Sequence, residues 1–285
     1  MVVKDIYRAF DICQSEKRHK LSLDAWSRMY DAGLPDLVQD IVMQPRFWTL
    51  PRPSVIGHLF DTQMQIAYFS YHSYQSFCPR VLSRADALWT AMWKNRQLIA
   101  DWSTDRPAKH SLREHPVIQA LVIYYVLHRH GEALVTLSSH MPHFSLYAWT
   151  VAEFQTEHFR SVYLCGDALR GPSYDPSIFV REAIINGVGV DACFTRLAEV
   201  LRGEDPWHWD SLGDLKESLH IFSGLLHGNT PETMTFVIGA GHHRIPSLAA
   251  TIAKKHALAG GLRANPRFYN STFSLIMQVL SRIPL

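Results

Sequence analysis

Two short stretches of the chain, Ala25–Met29 (AWSRM) and Ala87–Met92 (ALWTAM), share one pattern, in which an apolar helix ends in an aromatic residue and a methionine. Looser versions occur at Gly131–Leu134, which leads into Met141, and at Ala249–Gly261. Helical patterns that recur a few tens of residues apart predict stacked helix pairs, because a single pair cannot bury its own apolar face. Such an array presents one long surface, which favours binding over catalysis.

Glycine and proline mark where these helices end. The helix that carries Trp26 is expected to end at Gly33, with Pro35 beyond it, since these residues are common just after a helix C-terminus. Segments 233–240 and 247–258 form the last predicted hairpin. No segment shows the alternation of apolar and polar residues that is typical of a half-buried strand. We therefore predict an all-α fold in which helix-hairpin repeats stack as an α-solenoid that is degenerate in its middle.

The division of the chain is predicted from one irregular segment. Gly166–Pro176 (GDALRGPSYDP) is rich in Gly, Pro and Asp, which favours a linker. The sequence then predicts N-terminal helical repeats over 1–165, a linker over 166–176 and C-terminal helical repeats over 177–285. A single continuous solenoid is the alternative.

A glycine-containing motif, Gly187–Ala192 (GVGVDA), matches the loose GxGxxG/A pattern of dinucleotide-binding turns. That turn requires a buried strand before it and a helix after it. The preceding residues contain Arg181 and Glu182 and do not read as a buried strand. We therefore predict a turn between two helices here.

Composition indicates a folded protein. The chain has 285 residues, of which 47% are hydrophobic and 19% charged, whereas disorder requires fewer apolar residues and more charge. A net charge of +2 is not the strongly basic balance of a protein bound to duplex DNA. The four cysteines are scattered with no CxxC pair, which predicts free buried thiols in a reducing compartment.

Membrane and targeting signals are weak. The longest apolar stretch, Val117–Leu127, is shorter than the ~20 residues that a membrane-spanning helix needs. No secretory signal peptide is visible. The first segment is amphipathic, but Asp5, Asp11 and Glu16 do not suit a mitochondrial presequence, which avoids acidic residues.

Histidines are the first candidates for chemistry. They occur together at 128 and 130, at 140 and 143, and at 242 and 243. A zinc site needs three or four converging ligands, and the HExxH pattern is absent. We predict no catalytic residue, no metal and no cofactor, and we keep a helical enzyme with a histidine-lined pocket as a weaker alternative. His242, His243 and Arg244 lie in a predicted inter-helix turn, where contact with phosphate is the more attractive function.

Basic residues next to aromatic ones suggest a groove for a single-stranded nucleic acid, because every base offers a face for stacking and a phosphate for pairing. Each such segment taken singly also fits a solvated helix face beside core aromatics. Trp26 and Trp89 lie on the apolar stripe and are expected in the core. The segments are Arg46–Trp48, Trp93–Arg96, Lys254–His256 and Arg263–Tyr269, and the candidate RNA contacts in them are Lys254, Lys255, Arg263 and Arg267.

The last predicted hairpin resembles a pentatricopeptide repeat. Met234–Ile238, the pair Ala249 and Ala250, Gly260–Leu262 and Pro266 follow in the order of that family's repeat of about 35 residues. Val2–Asp36 resembles the repeat as well, whereas 144–229 matches only as generic helix pairs.

The resemblance implies a protein that binds single-stranded RNA, with two or three side chains of each repeat reading one base. It implies base-reading roles for Thr235 and Asn265, for Asn270 in the following partial repeat, and for Asp36 in the first repeat, where Ile6 stands in place of the expected polar residue. Most members of the family support RNA stability, processing or translation in mitochondria or plastids. We therefore predict the mitochondrial matrix, or otherwise the cytoplasm, as the compartment.

A second function class stays open beside this one. The same architecture suits an α-solenoid adaptor that holds other proteins, for example a component associated with the mitochondrial ribosome that has no sequence-specific RNA readout.

Overall fold

The computed structural model describes Arg28 and residues 31–49, 84–101, 140–151, 155–170, 175–203, 209–226 and 230–260, together with Ser274 and Ser281. Every element in these ranges is a helix, and they contain no strand, so the all-α prediction is confirmed for this part of the chain. The chain forms two compact units, Met1–Phe144 and Ser145–Leu285.

The first unit contains α1 (Leu34–Met43), a 3-10 helix (Pro45–Thr49), α2 (Ala85–Lys94), α3 (Arg96–Asp101) and the start of α4 (Met141–Val151). The preceding helical turn ends at Gly33 as predicted, and Gly33 takes a left-handed φ of 89°. Pro35 lies beyond that turn, as predicted, and a second helix begins there. It lies in the first turn of α1, where a missing N–H costs nothing.

Helices α1 and α2 pack against each other in this unit. Val42, Leu88 and Met92 are buried, and Arg84 donates a hydrogen bond to the Asp40 carboxylate. Trp89 is buried as predicted, whereas Trp26 lies outside the described residues.

The second unit continues with α5 (Gln155–Leu169), α6 (Pro176–Phe179), a π-helix (Val180–Val188), α7 (Val190–Arg202), α8 (Trp209–Leu225), α9 (Pro231–His242) and α10 (Ile245–Gly260). Prolines open α6 and α9, and the residues before them cap these helices. The Asp175 carboxylate accepts from Ser177 N at 2.9 Å, and Thr230 Oγ1 accepts from Thr233 N at 3.3 Å. The last predicted hairpin is confirmed as α9 and α10.

The GVGVDA motif is a turn between two helices, as predicted. Gly187 belongs to the π-helix, and Gly189 takes a φ of 97° immediately before α7. Glycine adopts this left-handed region without the steric cost that a Cβ would bring.

The predicted linker over 166–176 differs from the structure. Its first residues, Gly166 to Leu169, form the last turn of α5, and Pro176 opens α6. The unit boundary lies earlier, between Phe144 and Ser145. Gly166 serves packing, because a Cβ there would lie 3.1 Å from Glu217 Oε2 and 3.4 Å from Ile221 Cγ1.

Helix α7 occupies a central position in the second unit. It contacts the π-helix, α8, α9 and α10, while α5 packs most extensively along α8. Two of these pairs, α5 with α8 and α7 with α10, join helices that are not neighbours in chain order. One continuous core includes buried residues from α4 through α10. Sequential stacking of hairpins into a solenoid stays a prediction.

A buried polar network lies inside this core. The Asp214 carboxylate of α8 accepts a hydrogen bond from Trp149 Nε1 at 2.9 Å, and Ser218 Oγ lies 3.1 Å from the same oxygen. Burial raises the pKa of Asp214 to about 6, although these hydrogen bonds and the charge of Arg196 favour its ionised form. The Arg196 guanidinium donates to the Thr150 carbonyl at 3.1 Å, so α4, α7 and α8 meet at polar groups as well as apolar ones.

Stability is expected to depend on the protonation of Asp214. Because its folded pKa lies above its ordinary value of 3.8, the folded state binds the proton more tightly. The contribution of Asp214 to the free energy of unfolding should therefore decrease as pH rises from about 4 to about 6, by at most ~3 kcal/mol. In urea unfolding, the difference in free energy between the wild type and Asp214→Asn should show that slope across this range.

The variant Asp214→Ala removes the oxygen that accepts from Trp149 Nε1. Its free energy of unfolding should therefore be lower than that of Asp214→Asn by a further ~1–3 kcal/mol. An unchanged pH slope in Asp214→Asn would contradict this account.

Candidate nucleic-acid interface

The hairpin of α9 and α10 is positioned by a close approach between α9 and α7. A Cβ on Gly239 would lie 2.4 Å from Val190 Cγ1 and 3.1 Å from Phe194 Cε2, so only glycine fits there. The Phe194 ring lies 4.6 Å from the Phe236 ring and 5.5 Å from the Phe222 ring. This aromatic group fixes α9 on the core and places the turn that follows it.

The turn between α9 and α10 has an unusual backbone. Arg244 has a φ of +55°, and among the described residues it is the one residue other than glycine with a positive φ. Its N–H donates to the Gly241 carbonyl at 3.0 Å, and the His243 N–H donates to the Gly239 carbonyl at 3.1 Å. Glycine is the usual residue at this position after a helix, and a left-handed residue with a side chain costs ~1–2 kcal/mol. Strain of this kind concentrates at functional sites.

His243 holds the turn against α7. Its ring stacks on Phe194 with centroids 6.0 Å apart, and its Nε2 lies 3.1 Å from Asp191 Oδ1. The imidazole thus already has a carboxylate partner. His242 and Arg244, on either side of it, are exposed.

Three other predicted contacts lie on the same hairpin. Thr235 is exposed on α9, and its hydroxyl donates to the Pro231 carbonyl at 3.0 Å. Lys254 is exposed on α10, and the backbone of Lys255 belongs to that helix. Thr235, His242, His243, Arg244 and Lys254 therefore all lie on this one hairpin.

The remaining predicted contacts are not on this hairpin. Asp36 lies half-buried in the first turn of α1, in the first unit. Four others lie outside the described residues: Arg263, Asn265, Arg267 and Asn270.

The C-terminal part of the chain, which includes this hairpin, also differs from the rest in its charge, and none of the motifs above indicates this. Residues 233–285, which we call the acid-free segment, contain no Asp or Glu, and the rest of the chain holds all 26 acidic residues. The segment contains six of the 28 basic residues, so 22 remain in 1–232. Net charge averaged over the chain conceals this difference. The six are Arg244, Lys254, Lys255, Arg263, Arg267 and Arg282.

Other polar groups of the second unit serve packing. Arg170 at the end of α5 donates to the Glu217 carboxylate, and its Nε lies 3.3 Å from His220 Nε2. Burial and the charge of Arg170 lower the pKa of His220.

The described cysteines are buried thiols. Burial raises the pKa of Cys165 and Cys193 well above its usual range, which keeps these thiols unreactive. Both are free and buried as predicted, whereas Cys13 and Cys78 lie outside the described residues.

The histidines of the first unit also contact aromatic residues. The His143 ring lies 5.4 Å from the His140 ring and 5.4 Å from the Trp93 ring, and Arg96 lies over Trp93 at 4.0 Å.

Across the described ranges, no group of three His, Cys, Asp or Glu residues is arranged to hold a metal ion. Within the same ranges, no helix is both long and apolar enough to cross a bilayer.

Comparison with known proteins gives no match to a family model, a curated protein or a solved structure. The pentatricopeptide resemblance therefore rests on the residues that suggested it. The geometry of the α9–α10 turn and the charge of the acid-free segment carry the functional argument.

The strain at Arg244 predicts a separation of stability from function. Arg244→Gly should raise the free energy of unfolding by ~1 kcal/mol, because glycine adopts a positive φ without steric cost. Arg244→Ala removes the same charge but keeps the Cβ, so it should bring no such gain. Equal stabilities of these two variants in urea unfolding would contradict the left-handed conformation.

Proposed function

We propose that this protein binds single-stranded RNA through the α9–α10 hairpin and the rest of the acid-free segment. The observation that carries the proposal is the exposure of His242, Arg244 and Lys254 on a hairpin that, beyond Glu232, has no acidic residue of its own. Nucleic-acid affinity comes largely from the neutralisation of phosphates by Lys and Arg, and a local basic surface is sufficient for it.

The geometry of the turn suggests what each side chain of the hairpin does when RNA binds. Arg244 projects from a strained backbone that a neutral glycine would occupy more easily, so its side chain is the first candidate for a phosphate contact. His242 and Lys254 supply further donors. His243, which is bonded to Asp191, stabilises the turn and does not contact the RNA. Thr235 would add a polar contact to a base edge from the outward face of α9.

A single strand is the preferred form of the ligand. The chain as a whole carries a net charge of only +2, which is low for a protein that holds duplex DNA. The resemblance to pentatricopeptide repeats supports the same choice and supports a role in the stability, processing or translation of organellar RNA. In that role the protein acts by occupancy and not as an enzyme, and the mitochondrial matrix is the compartment that we propose. The solenoid arrangement and base readout by Asp36, Asn265 and Asn270 belong to the same proposal.

A protein-binding adaptor is the second candidate, and one observation favours it. Met234 and Ile238 are large apolar side chains exposed on α9, and phosphate contacts do not account for them. An adaptor would co-purify with a protein partner and would show no salt-dependent affinity for RNA.

Fluorescence anisotropy with a labelled single-stranded RNA tests the proposal. Affinity should fall as salt rises, and Arg244→Gly and Lys254→Ala should each weaken binding by about tenfold and reduce the salt slope by about 0.7, the value for one lost phosphate contact on a single strand. Arg181→Ala is the matched control, because it removes an exposed cation from the π-helix, outside the acid-free segment. It should leave both quantities unchanged.

Binding that is absent, or that Arg181→Ala weakens as much as Arg244→Gly does, would contradict the proposal. Because Arg244→Gly is expected to be the more stable protein, a loss of binding in it cannot be attributed to unfolding.

A further inference from the structure

An acidic side chain contacts the α9–α10 turn, although an anion is the proposed ligand of that turn. Asp191 belongs to the first turn of α7, and its Oδ1 lies 3.1 Å from Nε2 of His243, the neighbour of Arg244 in the chain. Glu232, the acidic residue of α9 itself, lies in the first turn of that helix, at the end opposite to the α9–α10 turn. Because like charges repel, the Asp191 carboxylate opposes the phosphate contact that we propose for the turn.

Stability does not explain this arrangement. A carboxylate in the first turn of a helix is stabilised by the helix dipole, but that effect needs no contact with a neighbouring turn. The Asp191 side chain is 92% exposed and that of His243 is 23% exposed, so the bond between them lies largely in solvent. Exposed pairs of this kind contribute little to the free energy of unfolding.

The Asp191 carboxylate keeps most of its capacity to accept hydrogen bonds. An ionised carboxyl group has about four lone-pair sites on its two oxygens, and His243 Nε2 lies within hydrogen-bond distance of Oδ1. The exposed carboxylate can therefore accept from a ligand as well. A ligand that presents two N–H donors side by side can satisfy both oxygens at once, which makes the contact strong and geometrically selective.

Guanine is the RNA base that offers this pair of donors. Its Watson–Crick edge carries N1–H and the N2 amino group next to each other. Adenine and cytosine each carry a ring-nitrogen acceptor beside their amino group, and uracil places N3–H between two carbonyl oxygens, so each of these bases brings an acceptor against the carboxylate. In a single strand the Watson–Crick edge is unpaired and open to a side chain.

We propose that Asp191 is a specificity-determining residue of the RNA site and that its carboxylate accepts hydrogen bonds from N1–H and N2–H of a guanine. This assignment rests on the proposed function, because the strand has to lie on the α9–α10 turn. The repulsion between Asp191 and phosphate then serves selectivity. A strand with guanine at this position satisfies the carboxylate, whereas any other strand meets an unsatisfied negative charge and binds more weakly.

Strands that differ in one base test the assignment with the wild-type protein. Fluorescence anisotropy compares labelled oligouridines of equal length that carry one central guanosine, adenosine or inosine. The adenosine strand measures what a purine gains by stacking alone, and the guanosine strand should bind about tenfold more tightly than it, the order of magnitude for one base read by two hydrogen bonds. Inosine keeps N1–H but lacks the N2 amino group, so its strand should lose most of this gain.

The variant Asp191→Asn separates base reading from charge. It keeps an oxygen that can accept from His243, but its amide NH2 faces the donors of guanine. The preference for guanosine over adenosine should therefore disappear, while the affinity for plain oligouridine should rise because a charge that repels phosphate is gone. Glu199→Gln is the matched control, since it removes an exposed carboxylate farther along α7 and should keep the wild-type preference.

The two proposals fail by different results. A wild type that binds the guanosine and adenosine strands equally, or a guanosine preference that survives in Asp191→Asn, would overturn the role of Asp191 and leave RNA binding by the hairpin intact. A wild type that binds none of the strands would overturn the proposed function and the role of Asp191 together.

Discussion

The close approach of α9 to α7 at Gly239 is the constraint on which the second unit depends. With no side chain at this position, Val190 and Phe194 come within contact distance of the α9 backbone. Phe194 then joins Phe236, Phe222 and the His243 ring in one aromatic group. The same contact that closes the core therefore fixes the direction in which the α9–α10 turn leaves it.

The turn between α9 and α10 has one fixed side chain between two exposed ones. His243 is fixed by stacking on Phe194 and by its bond to Asp191, whereas His242 and Arg244 on either side are exposed. The bonds of the turn fix the backbone at Arg244, so it is the side chain alone that has to be ordered when an anion binds. The acid-free segment itself contributes only positive charge, which favours anions, while the Asp191 carboxylate of α7 is already bonded to His243.

Sequence reasoning succeeded where local chemistry decides the outcome. Helix ends at Gly33 and Gly189 follow from the steric freedom of glycine, and the α9–α10 hairpin follows from its apolar spacing. It failed at Gly166, which looks like a linker glycine but makes room for Glu217 across a helix interface. The pair of Asp191 with His243 and the hydrogen bond from Trp149 to Asp214 join residues 52 and 65 positions apart, and no local pattern indicates such contacts. The charge asymmetry was visible in the sequence, but the average over the whole chain concealed it.

Hydrogen exchange of the full chain with and without single-stranded RNA tests the central claim most directly, because it locates the ligand without a substitution. Amides in loosely protected turns exchange fastest, so a bound strand should slow them most where it lies. We expect added protection in the segment that spans the end of α9, the turn at Arg244 and the exposed face of α10 through Lys254. Protection confined to other parts of the chain, or no protection at saturating RNA, would contradict the account.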